Sequence, residues 1–243
     1  YAEQVAVEAS QVALMPKSLD FKSAAALPLT GLTAFQGLIK ANIQANQNVL
    51  VNGASGGVGV FAAYLAHKKF EITVVEPNKK GLEACTKKGL NTYLSVADLP
   101  TNKRYSATTM WHVLEHLMAP EKTLQELRAL METDALLIIA VPNFNSHDAR
   151  YYGSEWAALD VPRHLWHFTH KGLIDLVEPL GFVVIAQKPL WFDVFYISYL
   201  SEKNRRKNRG RFFDKKDRRG KNRFADKKRN NQDRQHQNEG NKE

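Results

Sequence analysis

The sequence predicts an α/β fold: a Rossmann-like, doubly wound, mostly parallel sheet followed by a disordered basic C-terminal tail. Three observations predict it. Short β-branched runs alternate with helical patterns about 10–15 residues long, the spacing of βαβ units. One of these runs ends in a glycine-rich turn that opens a helix. The last 40 residues lack the apolar content needed to build a core.

The elements follow in order. Asn48–Asn52 (NVLVN) is a short apolar run of strand type, and Val58–Lys68 carries Val58, Ala62, Leu65 and Ala66 on one helical face. Ile72–Val75 is a second strand, closed by Glu76-Pro77. Lys79–Lys88 reads as a helix with Gly89 where a cap belongs. Thr92–Leu94 and Ala107–Val113 are strand candidates, and Pro120 starts a helix to Met131. Ala135–Val141 is a strongly apolar strand. Thr169 caps a helix to Leu180 that Gly181 ends. Phe182–Gln187 and Trp191–Tyr199 read as a final strand pair. This gives an appendage over residues 1–44, a cofactor-binding domain over 45–203 and a tail over 204–243.

Composition bounds the function. The chain has 243 residues, 44% of them hydrophobic, which excludes wholesale disorder. A single cysteine, Cys85, excludes a disulfide scaffold and a four-cysteine zinc site, and fits a reducing, cytoplasmic setting. No apolar run approaches the ~20 residues that span a bilayer. No signal segment opens the chain, which begins at Tyr1 as a piece of a longer chain would. The net charge of +9 is unevenly placed: Lys203–Glu243 holds 17 Lys+Arg against 6 Asp+Glu, a net +11. The remainder holds 17 against 19, a net −2.

The first chemical signal is the stretch from Val49 to Gly59, a strand running into Gly53, Gly56, Gly57 and Gly59. Gly57, Gly59 and Ala62 fit G-x-G-x-x-A. The missing side chains let the main chain turn sharply and approach a cofactor, and the helix start presents free N–H groups. Glu76 ends the next strand, 23 residues after Gly53. A carboxylate there accepts hydrogen bonds from both ribose hydroxyls of an adenosine and repels a 2′-phosphate. NADPH is therefore disfavoured relative to NADH or S-adenosylmethionine. The bland reading is a tight strand–helix turn beside an empty crevice.

Two families are resembled. Residues 1–67 resemble the zinc-free quinone oxidoreductase branch of the medium-chain dehydrogenases, through Ala24–Phe35 (AAALPLTGLTAF) and the Asn52–Gly59 loop. That resemblance implies a nicotinamide-binding loop. Residues 72–203 resemble class I S-adenosylmethionine-dependent methyltransferases, through Val75-Glu76-Pro77, Met110–Leu117 (MWHVLEHL), Ala140–Asn143, Trp156–Thr169 and Tyr196–Lys203. It implies that Glu76 binds the ribose, Asp98 meets the adenine, and Met110, Trp111 and His112 line the methionine side. Two departures stand out: the dehydrogenase-like loop replaces that family's short glycine motif, and Ser106 stands where an acid is common. The tail from Arg205 is similar in composition to the basic extensions of DEAD-box RNA helicases. The pattern is that of a composite, chimeric chain joined near residues 70 and 204. The first joint lies inside a βαβ unit common to both families, so one sheet can still close across it.

Six of the eight histidines lie between His112 and His170. His112–His116 spells H-x-x-E-H, a zinc-peptidase pattern that needs both imidazoles on one helical face. Here it straddles a strand end and a loop, so no metal is assigned. The methyltransferase resemblance sets His112 and His116 at the crevice. Arg163, His164 and His167 follow Pro162 in an aromatic-rich loop expected to fold over the pocket. His164 or His167 suits a general base near neutral pH, and Arg163 a clamp on an anionic group. The bland reading is a lid held by Trp156, Trp166 and Phe168. Ser55 lacks a nucleophile-elbow pattern, which sets hydrolase chemistry aside.

The expected activity is methyl transfer from S-adenosylmethionine to a small-molecule or other acceptor, with His116, His164, His167 and Arg163 as the catalytic candidates. One alternative is a remnant that binds NADH or NADPH. The other is a non-catalytic fusion whose tail binds RNA or another polyanion weakly and salt-dependently.

Overall fold

The apolar runs assemble into one five-stranded parallel sheet in a computed structural model of the chain. It describes residues 12–25, 46–54, 70–190 and 193–208, with Ala6, Glu8, Gly31, Gly56, Gly57, Gly59 and Ala63. The strands are β1 (Asn48–Asn52), β2 (Glu71–Val75), β3 (Asn91–Tyr93), β4 (Tyr105–Trp111) and β5 (Met131–Ala140). Their order is β3-β2-β1-β4-β5, and every neighbouring pair is parallel.

β1 lies at the centre. It pairs with β2 from Asn48–Glu71 to Asn52–Val75, and with β4 from Val49–Ala107 to Asn52–Met110. The sheet therefore closes across the joint near residue 70. Alternation of side chains along β1 supplies two cores. Val49 and Val51 pack with Ala54, Ala63, Ile72, Val74, Cys85 and Ala107 in one cluster. Leu50 packs in another with Val75, Tyr105, Met110, Leu124 and Leu127. Sheet faces covered on both sides explain the near-continuous apolar runs of the sequence.

Five helices have defined bounds: α1 (Phe21–Ala25), α2 (Lys79–Thr86), α3 (Pro120–Leu130), α4 (His147–Tyr152) and α5 (His170–Val177). Asn78 caps α2 by accepting from the N–H groups of Lys80 and Gly81. Pro120 opens α3, whose Leu124, Leu127 and Leu130 are buried. The Gly57 and Gly59 positions and Ala63 are helical, and the rest of the expected Val58–Lys68 helix lies outside the described residues. So do Ser55, residues 26–30 and 32–35 of the oxidoreductase-like stretch Ala24–Phe35, and the tail from residue 209.

Thr169 caps α5, its Oγ1 accepting from the Gly172 N–H at 3.0 Å, and α5 buries Val177 against the sheet. Thr169→Ala is expected to cost about 1 kcal/mol of unfolding free energy, read by urea denaturation. A loss indistinguishable from zero would show that the cap contributes nothing. The α5 helix passes into a short 3-10 turn over Glu178–Leu180, and Gly181 follows in the left-handed region at φ +84°.

The final strand pair is corrected. Residues 182–190 form no regular element, and residues 193–208 are helical. Pro189 has no N–H to give a strand ladder. Ile197 and Ser201, four residues apart, share a helical face that packing rewards. Ile197 lies against the Ala149, Trp156 and Ala158 cluster, and the buried Ser201 accepts from the Ala157 N–H at 2.8 Å.

The chain divides into two units: residues 1–144 with 161–193, and residues 145–160 with 194–243. The second contains α4 and the described helix from residue 194 onward. In it Ser198 donates to Asp148. The Arg205 guanidinium lies over the Tyr151 ring at 5.2 Å and pairs with Glu202 at 2.7 Å. Residues 204–208, assigned to the tail by composition, continue this helix.

Candidate active site

All the sequence-predicted site residues fall in the first unit. The glycines, Glu76 and Met110–His112 follow the carboxyl ends of β1, β2 and β4, and Asp98 lies in a 3-10 turn after β3. The order of the strands reverses between β1 and β4, which places a crevice at their carboxyl edge.

The glycine turn is built by close approach. Gly53 sits at φ +79°, in the left-handed region, and its N–H donates to the Val75 carbonyl at 2.8 Å. A Cβ at Gly53 would lie 2.3 Å from Val113 Cγ2. At Gly59 it would lie 2.2 Å from the Gly53 carbonyl oxygen and 2.8 Å from Ala54 Cα. The helix start is thus pressed onto the end of β1, and only a hydrogen fits between them. Gly56 and Gly57 are exposed.

Glu76 leaves β2 with its own N–H donated to the Tyr93 carbonyl at 2.9 Å. It is buried, and Oε1 accepts from the Asn78 N–H at 2.8 Å. Asp98 is exposed, and its Oδ2 accepts from the Ser95 N–H at 2.9 Å and the Ser95 hydroxyl at 2.8 Å. Met110 is fully buried in the sheet core, so its side chain is not exposed to a ligand. Trp111 is nearly as buried. Cys85 is packed in the core, where burial pushes its thiol up.

His112 ends β4 in a left-handed conformation at φ +53°, its N–H donated to the Ala140 carbonyl at 2.9 Å. Both ring nitrogens are engaged: Nδ1 with Glu115 Oε1 and Nε2 with Asp193 Oδ2, each at 3.2 Å. Burial lowers its pKa, but the hydrogen bonds and charges of Asp193 and Glu115 outweigh that and push it up to about 9. His112 is therefore an imidazolium at neutral pH, flanked by two carboxylates.

The H-x-x-E-H segment straddles the strand end and a 3-10 turn over Leu114–His116, as expected. The loop after Pro162 is pinned to that turn. The Glu115 carbonyl accepts from the N–H groups of Leu165 (2.8 Å) and Trp166 (3.2 Å), and Trp166 Nε1 donates to the Leu117 carbonyl at 2.8 Å. His116 Nδ1 lies 2.9 Å from the Arg163 carbonyl, which can only accept, so Nδ1 carries the proton. The His116 and His164 rings meet edge to face with centroids 4.7 Å apart. His167 lies 6.4 Å from His164 and 5.5 Å from Phe144, between ring centroids. Arg163 itself is exposed.

The structure thus brings Gly53, Gly59 and Glu76 together along one sheet edge, and His116, His164 and His167 together in one loop cluster. Sequence reasoning missed Asp193, because its contact with His112 spans 81 residues and no local pattern announces it. It undervalued Glu115. The signal available was an acid among apolar neighbours, and the structure buries that acid completely.

The chain belongs to the methyltransferase-domain family, whose model matches residues 53–187, more than half of its length. The match begins at Gly53 and so includes the glycine turn. S-adenosylmethionine is the cofactor this membership implies, and the site fits it: a glycine cradle that a Cβ would fill, beside a buried acid at the end of β2.

Among curated proteins the chain is 49% identical over 69 residues to a 2-methylene-furan-3-one reductase of Solanum lycopersicum, covering 28% of this chain and 18% of that protein. It is 43% identical over 67 residues to a quinone oxidoreductase of Homo sapiens, covering 27% and 20%. The chain therefore spans a fifth or less of these relatives, and such partial oxidoreductase matches beside a methyltransferase domain fit a composite chain. Among solved structures it is similar to an S-adenosylmethionine-dependent methyltransferase of Thermotoga maritima, described as a possible histamine N-methyltransferase. The TM-score is 0.51 at 21% identity, over 66% of this chain and 74% of that one, a likeness of fold. A quinone oxidoreductase of Thermus thermophilus is also similar, with TM-score 0.47 and 20% identity over 74% and 58% of the two chains.

Proposed function

We propose that the chain transfers the methyl group of S-adenosylmethionine to a nucleophilic heteroatom of a small-molecule acceptor by in-line attack. The observation that carries this reading is the Gly53–Gly59 turn beside Glu76 at the carboxyl edge of adjacent strands, tied together by the Gly53 N–H to Val75 carbonyl bond. In this reading Glu76 accepts from the ribose hydroxyls. The main chain of Gly53, Gly56, Gly57 and Gly59 borders the methionine and ribose. Asp98 meets the adenine side, and the main chain of Met110, Trp111 and His112 borders the reacting end. When bound, S-adenosylmethionine supplies an electrophilic methyl group on a sulfonium.

The acceptor lies against the loop of Arg163, His164 and His167, with His116 beneath it. Arg163 holds an anionic group, and His167 takes the proton released from a hydroxyl or amine. A sulfonium leaving group needs no protonation, so alignment of acceptor and methyl contributes most to the rate. Glu76 also speaks against the nicotinamide alternative in its phosphorylated form, because a buried carboxylate disfavours a 2′-phosphate.

Titration calorimetry with S-adenosylmethionine, NADH and NADPH in parallel tests the reading. Saturable binding of S-adenosylmethionine is expected, with NADPH the weakest of the three. Binding of NADPH alone would refute methyl transfer.

A further inference from the structure

The strongest unexplained feature lies beside the crevice. Glu115, His116 and His164 each offer a ligand atom, and these atoms lie within 4.8 Å of one another. Three further observations bear on them.

Glu115 is completely buried. Its Oε1 is taken by His112 Nδ1 at 3.2 Å, while Oε2 is buried with no hydrogen-bond partner. A buried carboxylate oxygen left without a partner carries a desolvation cost that a cation would relieve. The tautomer of His116 is set by its neighbour: Nδ1 donates to the Arg163 carbonyl, so Nε2 carries a lone pair. A backbone carbonyl on the far nitrogen is the outer-shell support typical of metal-bound imidazoles. Finally, the loop carrying His164 is held against the turn carrying Glu115 and His116 by three main-chain and indole hydrogen bonds, so the ligand set is preassembled.

From these we propose that Glu115, His116 and His164 form a binding site for a zinc-type divalent transition-metal ion. Two imidazoles and a carboxylate form a nitrogen- and oxygen-rich donor set suited to such ions, whereas magnesium favours oxygen donors alone. Ligands sharing one tetrahedral zinc at bond lengths of about 2.0–2.1 Å sit about 3.4 Å apart. Side-chain rotations of roughly an ångström therefore close the set from its 4.8 Å limit. His116 is exposed and His164 half-buried. A fourth coordination position thus opens to solution, where water or a heteroatom of the acceptor binds.

This site differs from the zinc-peptidase pattern spelled by His112–His116. His112 is not a ligand, because both its nitrogens are engaged with carboxylates. His164, which completes the set, lies 48 residues beyond His116.

Zinc titration of the full chain by calorimetry, without S-adenosylmethionine, tests the proposal separately from methyl transfer. One equivalent of zinc is expected. Cobalt(II) should displace nothing but occupy the same site, with visible ligand-field bands of a four-coordinate ion. His116→Ala and His164→Ala should each weaken zinc binding by roughly tenfold or more and abolish the cobalt bands, while His170→Ala leaves both unchanged. Both ligand variants change residues outside the core, and their circular dichroism should match the parent. Failure to bind zinc, binding that survives both ligand variants, or displacement of zinc by magnesium would each overturn the proposal.

Discussion

Gly59→Ala is expected to destabilise the protein by about 3 kcal/mol, at the upper end of overpacking costs. The new methyl group would sit 2.2 Å from the Gly53 carbonyl oxygen and 2.8 Å from Ala54 Cα, and both obstacles are backbone. No side-chain rotation relieves such a contact. Either the helix start lifts off the strand or the end of β1 moves, and β1 is hydrogen-bonded on both sides. For a chain of this size the melting temperature should fall by roughly 6–12 °C. Gly56→Ala is the control, since its Cβ would meet only the Gly53 oxygen at 3.8 Å. Its melting temperature should stay near that of the parent. Equal melting temperatures for Gly59→Ala and the parent would show that the turn is not packed as described.

Glu76→Ala is expected to weaken S-adenosylmethionine binding roughly ten- to hundredfold, the loss typical of hydrogen bonds to a charged group. Glu76→Gln separates two contributions. Its amide oxygen keeps an acceptor for the Asn78 N–H, so the start of α2 stays in place. The charge is lost, so affinity for the ribose falls by less than in the alanine variant. It should also relieve the repulsion of a 2′-phosphate, raising NADPH affinity relative to NADH. Affinity for S-adenosylmethionine unchanged in both variants would remove Glu76 from the cofactor site.

Most of the sheet was legible from local pattern. β1, β2 and α3 lie within a residue or two of their expected bounds, because each carries a strong period and a terminal signal. The glycine turn and Glu76 were legible for the same reason: a strand, a turn and a helix start are local, and an acid after the next strand falls at a predictable distance. The segment from Phe182 to Tyr199 was not legible. Its β-branched and aromatic residues favour a strand locally, yet Ser201 and Ile197 find partners only along a helix. The acid partners of His112 were likewise hidden. One lies three residues away in a motif that suggested a different geometry, and the other 81 residues away.

The sequence by itself determined the class of fold, the order of the elements from β1 to β5, the glycine turn and the acid that follows β2. It also located the excess charge in the tail. These follow from periodicity, from turn chemistry and from composition, none of which needs a distant contact. Only the tertiary structure decided that the two resembled parents share one continuous sheet, with β1 hydrogen-bonded between β2 and β4. It alone gathered Glu115, His116 and His164, because chain reversal at the loop after Pro162 brings His164 beside a turn 48 residues earlier. Side-chain convergence of that kind depends on how loops are pinned by main-chain hydrogen bonds, and those bonds leave no residue-specific trace in a single sequence.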